Sequence, residues 1–388
     1  MLLRNLSVIG REGLHDILFD QDGIRTVEHS ATSKAAEGKT AGLIFNQAIA
    51  FPGLINSHDH LDFNLFQQLG NTIYHSYEEW GRQLHKEHKD QINEILNIPL
   101  ALRISWGIYK NLLNGFTTVV NHGQKLHIRD HVIQVIQPAN NLHSVKFEKN
   151  WKWKINRPGF KKQPYAVHVG EGTNEEATKE IDQLIQYNLF DRELIGIHAV
   201  AMQEKQASAF KCLVWCPASN YFLLNQTAPV DRLNKYTRII FGTDSTLTAP
   251  WNAWEHLRAA RASKLVSDET LFHMLTDEPA SVWGLTGRGA IKPGMMADIV
   301  IAKKNPVVSG WDAFYALNPG DILLIIQNGM IRLFDEELIG PIMEARYPVK
   351  DFGMIDINGS YKYVQGHLPE LMDEIRKHHS ALHFPFTN

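Results

Sequence analysis

Two histidines one residue apart, His58 and His60, close the run Phe51-Pro-Gly-Leu-Ile-Asn-Ser-His-Asp-His60. Leu54 and Ile55 read as a short buried strand. A strand repeats its side-chain direction every two residues, so both imidazoles point the same way. Two imidazoles on one face at a strand end suit a transition metal such as Zn²⁺. An isolated pair of this kind is more often two polar loop residues, but here polar residues also end other apolar runs. His168 lies in Tyr165-Ala-Val-His-Val169 with Glu171 just beyond, His198 ends Leu194-Ile-Gly-Ile-His198, and Asp244 follows Arg238-Ile-Ile-Phe-Gly-Thr. Three or four imidazoles and one carboxylate make a site for one borderline divalent cation, Zn²⁺ first, with Fe²⁺ or Mn²⁺ as alternatives. An open coordination position there would hold a water whose pKa the metal lowers to about 7. Singly, each histidine also reads as a hydrogen-bonded structural residue and Asp244 as a loop cap. Their joint occurrence at successive strand ends is what those readings explain badly.

Converging residues so far apart in the chain requires a scaffold. Residues 1–51 alternate short apolar runs with turn signals and read as a small antiparallel sheet, with Ser30 to Thr40 an exposed loop. Tyr77 to Leu96 and Leu100 to Leu113 read as helices, and Gly115-Phe-Thr-Thr-Val-Val-Asn-His-Gly123 as a buried strand. Val132–Ile136 and Ser144–Phe147 are short strand-like runs, and Trp151–Ile155 has the alternation of a strand or hairpin. From Tyr165 onward strands and helices alternate: Asn174 to Tyr187 begins with Thr173 or Asn174 as its N-cap, and Gln203–Phe210, Trp251–Leu265 and Leu271–Trp283 are further helices. Such alternation signals a parallel sheet of β-α units, whose C-terminal strand ends share one mouth when it closes as a barrel. After residue 289 the chain returns to short strands, with a hairpin turning at Asn328-Gly329, and then a helix over Leu368–His379. The two ends are therefore expected to meet in one small β-domain with the barrel between them. The expected boundaries are 1–51 and 289–340 for the small domain, 52–288 for the metal-dependent barrel, and 341–388 for a C-terminal tail with one helix.

Composition narrows the field. The chain has 388 residues, 44% hydrophobic and 21% charged, which is ordinary globular material long enough for more than one core. A net charge of −3 gives no electrostatic reason to expect nucleic acid or a membrane surface as partner, and no apolar run approaches spanning length. Cys212 and Cys216, if on one strand, stand roughly 13 Å apart at about 3.3 Å per residue. A disulfide tolerates at most about 7 Å, so both read as reduced side chains of a cytoplasmic enzyme. The expected partner is a small-molecule substrate, with self-association into a homo-oligomer left open.

With these pieces assembled, the sequence resembles the amidohydrolase superfamily, and within it the guanine-deaminase, cytosine-deaminase and triazine-hydrolase-like group. The resemblance is carried by Pro52-Gly-Leu-Ile-Asn-Ser-His-Asp-His60, Gly115-Phe-Thr-Thr-Val-Val120, His168-Val-Gly-Glu171, Ile197-His198, Cys216-Pro-Ala-Ser-Asn220, Gly242-Thr-Asp-Ser245 and Gly294-Met-Met-Ala-Asp-Ile-Val300. It implies an α/β fold, a (β/α)8 TIM barrel with a small β-sandwich-like domain built from both termini. It further implies His58, His60, His168 and Asp244 as ligands of one divalent metal, with strands one, five, six and eight bearing the site. His198 falls at the metal or beside its water, and Glu171 in the role of proton shuttle. Glu171, His198 and Asp244 are thus the expected catalytic residues. No lysine ends a convincing barrel strand between 115 and 168, which favours one metal over a lysine-bridged pair. The chain between residues 122 and 168 is short for the group, so strands three and four are expected to be abbreviated, and Phe66-Gln-Gln-Leu-Gly70 lacks the arginine relatives often carry there. Substrate-binding residues stay unassigned. His122, Trp80, Tyr74, Ser219 and Asn220 could each line a pocket or simply pack.

The activity this implies is that of an aminohydrolase: attack of a metal-bound hydroxide on an amino-substituted heterocycle or amidine-like carbon, releasing ammonia. Two alternatives stand beside it. One is an amidohydrolase cleaving an amide, a cyclic amide or a ring C–Cl bond; the other is a catalytically silent scaffold that binds metal or ligand.

Overall fold

The protein is described by a computed structural model covering residues 1–33, 42–128, 132–157 and 163–388. The expected loop from Ser30 to Thr40 falls largely outside the described residues, with a 3₁₀ turn at Ser30–Thr32 before it. Among the described residues a nine-stranded sheet gathers both ends of the chain. From the N-terminal side come β1 (Leu2–Val8), β2 (Leu14–Asp20), β3 (Gly23–His29) and β4 (Gly42–Pro52). These pair β3-β2-β1-β4, with β1 and β4 parallel.

β4 runs on into β5 (Leu54–Asp59), whose six residues are all buried. Eight strands then follow one another as parallel ladders in two sheets. Three are β5, β6 (Phe116–Asn121) and β7 (Gln134–Ile136), in that order. Five are β8 (Asn140–Ser144), β9 (Tyr165–Val169), β10 (Leu194–His198), β11 (Cys212–Trp215) and β12 (Arg238–Phe241), paired in sequence. Strands buried on both faces read as near-continuous apolar runs, and β9 to β11 do so. The chain then returns to the first sheet with β13 (Ile299–Lys303), which pairs with β4, and the β14 (Ile322–Gln327) and β15 (Met330–Asp335) hairpin. Asn328 and Gly329 take φ of 52° and 71°, the double left-handed turn that an Asn-Gly hairpin needs. A last hairpin, β16 (Phe352–Ile357) and β17 (Ser360–Gln365), extends the sheet beyond β15. The sequence reading had seen only the helix that follows it, Leu368–His378.

Several local expectations are corrected. Trp151–Ile155 is a short helix and not a strand: Trp151 and Ile155, four apart, are buried while Trp153 is exposed. The strand expected at Ser144–Phe147 lies earlier, at Asn140–Ser144. Two side-chain amides tie the strand down there, Asn140 Nδ2 donating to Gln163 O and Asn141 Nδ2 to Gly123 O. The helix read over Tyr77–Leu96 is two, α1 (Tyr77–Glu87) and α2 (Lys89–Leu96), broken at His88. Leu271–Trp283 likewise divides into Asp268–His273 and Asp277–Val282. By contrast α3 (Leu100–Leu113) is uninterrupted, and Asn174 is the N-cap that accepts from Ala177 N. At Gly107 in α3 a Cβ would fall 2.1 Å from Leu61 O, so the absence of a side chain lets α3 press against the turn that follows His60. Of the two strands expected to be abbreviated, β7 has three residues, but β8 has five, as many as β9 and β10 and more than β11 and β12.

Candidate metal centre and active site

His58 lies within β5 and His60 just past it, both turned to the same side as the strand period requires. His168 is on β9, His198 is the last residue of β10, and Asp244 sits three residues after β12. All five converge. His168 Nε2 stands 3.3 Å from His58 Nε2 and 3.4 Å from His60 Nε2. Asp244 Oδ1 is 3.8 Å from both His58 Nε2 and His60 Nε2, and Asp244 Oδ2 is 3.9 Å from His198 Nε2. Donors held about 2.0–2.1 Å from one tetrahedral ion stand roughly 3.3–3.4 Å from each other, which is the spacing of the imidazole nitrogens. Two overlapping sets, His58-His60-His168 and His58-His198-Asp244, keep their donor atoms within 4.8 Å of one another.

The outer nitrogens fix the inner ones. His60 Nδ1 donates to His122 O (3.1 Å), His168 Nδ1 to His143 O (2.7 Å) and His198 Nδ1 to Asn220 Oδ1 (2.8 Å). A proton committed outward leaves each Nε2 lone pair facing the cluster, the arrangement a metal ligand needs. Burial, together with neighbouring imidazoles, holds the pKa of His58 and of His168 well below the ordinary range, and burial also lowers His198. They are neutral donors. Burial works against charge on Asp244, yet His60, His198, the Ser219 hydroxyl and the Ser245 N–H outweigh it and keep its pKa below the usual carboxylate value. Ser219 Oγ and Thr248 Oγ1 donate to Asp244 Oδ2 at 2.8 and 3.0 Å, and Ser245 N to Oδ1 at 2.7 Å. Imidazoles with their Nε2 lone pairs turned inward, around one buried carboxylate held below its usual pKa, fit a divalent cation.

Glu171 follows β9 at the same mouth, with Oε1 3.6 Å from His198 Nε2. Its surroundings act in the opposite sense: burial, then the charges of Asp244 and Glu180, push its carboxyl well above the ordinary range. Two carboxyls thus share one site with their pKa values pushed in opposite directions, Asp244 down and Glu171 up, the separation that distinguishes a base from an acid. His198 and Asp244 have φ of 71° and 59°, and Ala199 has 52°. Non-glycine residues are strained there, and such strain collects at functional sites. Gly242 makes room: a Cβ would lie 2.7 Å from the His58 Cβ.

A cavity of about 660 Å³ opens over this floor. His60, His168, Glu171, His198 and Asp244 line its base, and Phe63, Phe66, Trp80, Leu84, Ile92, Phe147 and Leu247 make apolar walls. Trp80 is therefore a pocket residue. Tyr74 packs with Val200, Leu223 and Leu224 instead. Ser219 and Asn220 hold Asp244 and His198 from behind, and His122 is buried with its ring centroid 4.4 Å from that of His168. Sequence reasoning missed Thr248 and the carbonyl of His143. The first carries no motif, and the second lies on the strand whose position had been read too late.

Comparison with known proteins agrees with this geometry. Residues 163–312 match the amidohydrolase family. The chain is 22% identical over 315 residues to a 5-methylthioadenosine/S-adenosylhomocysteine deaminase of Carboxydothermus hydrogenoformans, covering 66% of this chain and 73% of the relative. In fold it resembles an adenosine deaminase from Xanthomonas campestris with bound zinc, at TM-score 0.68 and 16% identity over 97% of this chain and 98% of that one. An atrazine chlorohydrolase from Arthrobacter aurescens complexed with zinc matches at TM-score 0.65 and 16% identity, over 89% and 99%. Among the described residues no helix is long and apolar enough to cross a membrane.

Proposed function

We propose that this chain is a metal-dependent aminohydrolase that replaces the amino group of a heterocycle or amidine-like carbon by oxygen, releasing ammonia. The observation that carries the reading is the pair of carboxyls, Glu171 and Asp244, on either side of His198 at the cavity floor, with their pKa values pushed in opposite directions. His58, His60, His168 and Asp244 are the ligands of one metal in this reading, zinc first and iron or manganese second, with His198 beside them. Such an ion supplies Lewis acidity, which polarises water and lowers its pKa to about 7. Asp244, ionised, takes the proton of the attacking water. Glu171 gives its proton to the ring nitrogen next to the reacting carbon, takes up the hydroxyl proton as the C=O forms and passes it to the departing amine, and then recovers the proton held by Asp244. Water adds as C–O, the C–N bond breaks, and ammonia leaves with the proton it has gained. His198, held by Asn220, orients the attacking oxygen. The deaminase named among the relatives supports this reaction over hydrolysis of an amide.

The apolar walls, with Phe63, Phe66, Trp80 and Phe147 among them, favour a planar ring as substrate. The same reading closes the two parallel sheets into one eight-stranded barrel. Its support is the pair of bonds from Thr243 N and Asp244 N to His58 O, 3.1 and 3.0 Å, which tie the end of β12 to β5. The barrel then spans 52–288, and the small β-domain comprises 1–51 and 289–340, extended by the β16–β17 hairpin of the 341–388 segment. Two free, buried cysteines support a cytoplasmic setting.

The test is ammonia release by zinc-replete protein from aminopurine nucleosides, aminopurines, aminopyrimidines and aminotriazines, with Asp244→Asn as blank. Ammonia from one class, absent in the blank, establishes the deaminase. Zinc-bound protein that frees no ammonia but hydrolyses an amide or a ring C–Cl bond in the same panel overturns it.

A further inference from the structure

Asp59, the last residue of β5, stands between His58 and His60, so the strand period turns its carboxylate away from them, toward α3. There it meets Lys110, and both side chains are fully buried. Lys110 Nζ donates to Asp59 Oδ2 at 2.9 Å, and Asn111 Nδ2 and Asn64 Nδ2 donate to the same carboxylate at 2.7 and 2.8 Å. The ammonium has two further acceptors: Thr243 Oγ1 at 3.3 Å and the Asp244 carbonyl at 3.5 Å. Thr243 Oγ1 donates to that carbonyl as well, at 3.0 Å, while Asp244 N is bound to His58 O. The peptide of Asp244 is therefore gripped at both ends, and the residue so gripped has a φ of 59°.

Burying an ion pair is expensive, and an apolar pair of similar volume often serves stability as well or better. What this pair supplies beyond packing is a link. It joins the backbone between His58 and His60 to the backbone of Asp244, the two halves of the donor cluster that come from opposite ends of the barrel segment. We propose that Lys110, anchored by Asp59, is a positioning residue that holds Asp244 in its left-handed conformation and so sets the metal-binding geometry. The inference rests on the metal reading of the cluster. It assigns Lys110 no contact with substrate.

The test compares wild type, Lys110→Met, and Lys110→Met combined with Asp59→Asn, by thermal melting of the metal-free chain and by zinc affinity in competition with a chromophoric chelator. Lys110→Met alone leaves Asp59 buried without its cation and should melt lower. The double variant removes both charges and should regain most of the melting temperature, yet bind zinc at least tenfold more weakly. Against the best substrate its kcat should fall at least tenfold with KM within about twofold. A double variant that regains zinc affinity along with its melting temperature overturns the proposal, because the pair would then serve packing alone. One that fails to fold overturns it too, by making the pair a requirement of the fold. Wild type that binds no zinc would instead sink the metal reading itself.

Discussion

Replacing Glu171 by glutamine changes two atoms' chemistry and almost nothing else. The side chain is buried at the cavity floor, and burial, then the charges of Asp244 and Glu180, push its pKa well above the ordinary range, so a neutral amide of the same shape introduces no new charge. It belongs to neither donor set, so metal content should stay at the wild-type level. What is lost is the transferable proton. Positioned acid–base groups contribute about 10²–10⁴-fold to rate, or roughly 3–5 kcal/mol of barrier. Glu171→Gln should therefore lower kcat for ammonia release by about that factor while zinc per chain, measured by elemental analysis, and melting temperature hold. Turnover within threefold of wild type would remove Glu171 from the reaction. Loss of the metal would mean that the donor set has been wrongly drawn.

Three further outcomes follow from the same geometry. Asn220→Ala takes away the acceptor that orients His198, and outer partners of this kind are worth about 10–100-fold in affinity or activity, so kcat/KM should fall by that range; an unchanged value would make the bond incidental. Phe147→Ala removes a cavity wall that is itself 52% exposed, so KM for a ring substrate should rise severalfold with little change in melting temperature; a fall in kcat alone would contradict a binding role. Glu180 is buried against Gly170 N and its pKa is pushed up to about 7, chiefly by burial. Its folded-state pKa lies above the unfolded value, so its contribution is full below about pH 4.5 and is lost as pH rises through about 7. Wild type should lose on the order of 2–3 kcal/mol of stability relative to Glu180→Gln between pH 5 and 8. Parallel pH profiles in chemical denaturation would refute that assignment.

Much of the site could be read from the chain because strand chemistry is local. A period of two turned His58 and His60 the same way, and apolar runs ending in His168, His198 and Asp244 marked strand ends before any pairing was known. What could not be read depends on tertiary partners. Asn140 and Asn141 look like a turn until Gln163 O and Gly123 O accept their amides and make them a strand. Trp151–Ile155 alternates like a strand, but burial of positions four apart decides for a helix. Lys110 sits near the end of a helix, where a cation is ordinary, and only its burial against Asp59 and Asp244 sets it apart. The β16–β17 hairpin joins the sheet of the two termini through β15, a pairing that its own residues do not announce.

The central claim is that one metal at His58, His60, His168 and Asp244 makes the reaction possible. The most direct test is ammonia release from the best aminoheterocycle by chelator-stripped protein, as zinc is added in measured equivalents. Release that begins at zero and saturates at one equivalent per chain is the predicted result. Release that needs no added metal, or that keeps rising to two equivalents, would contradict it.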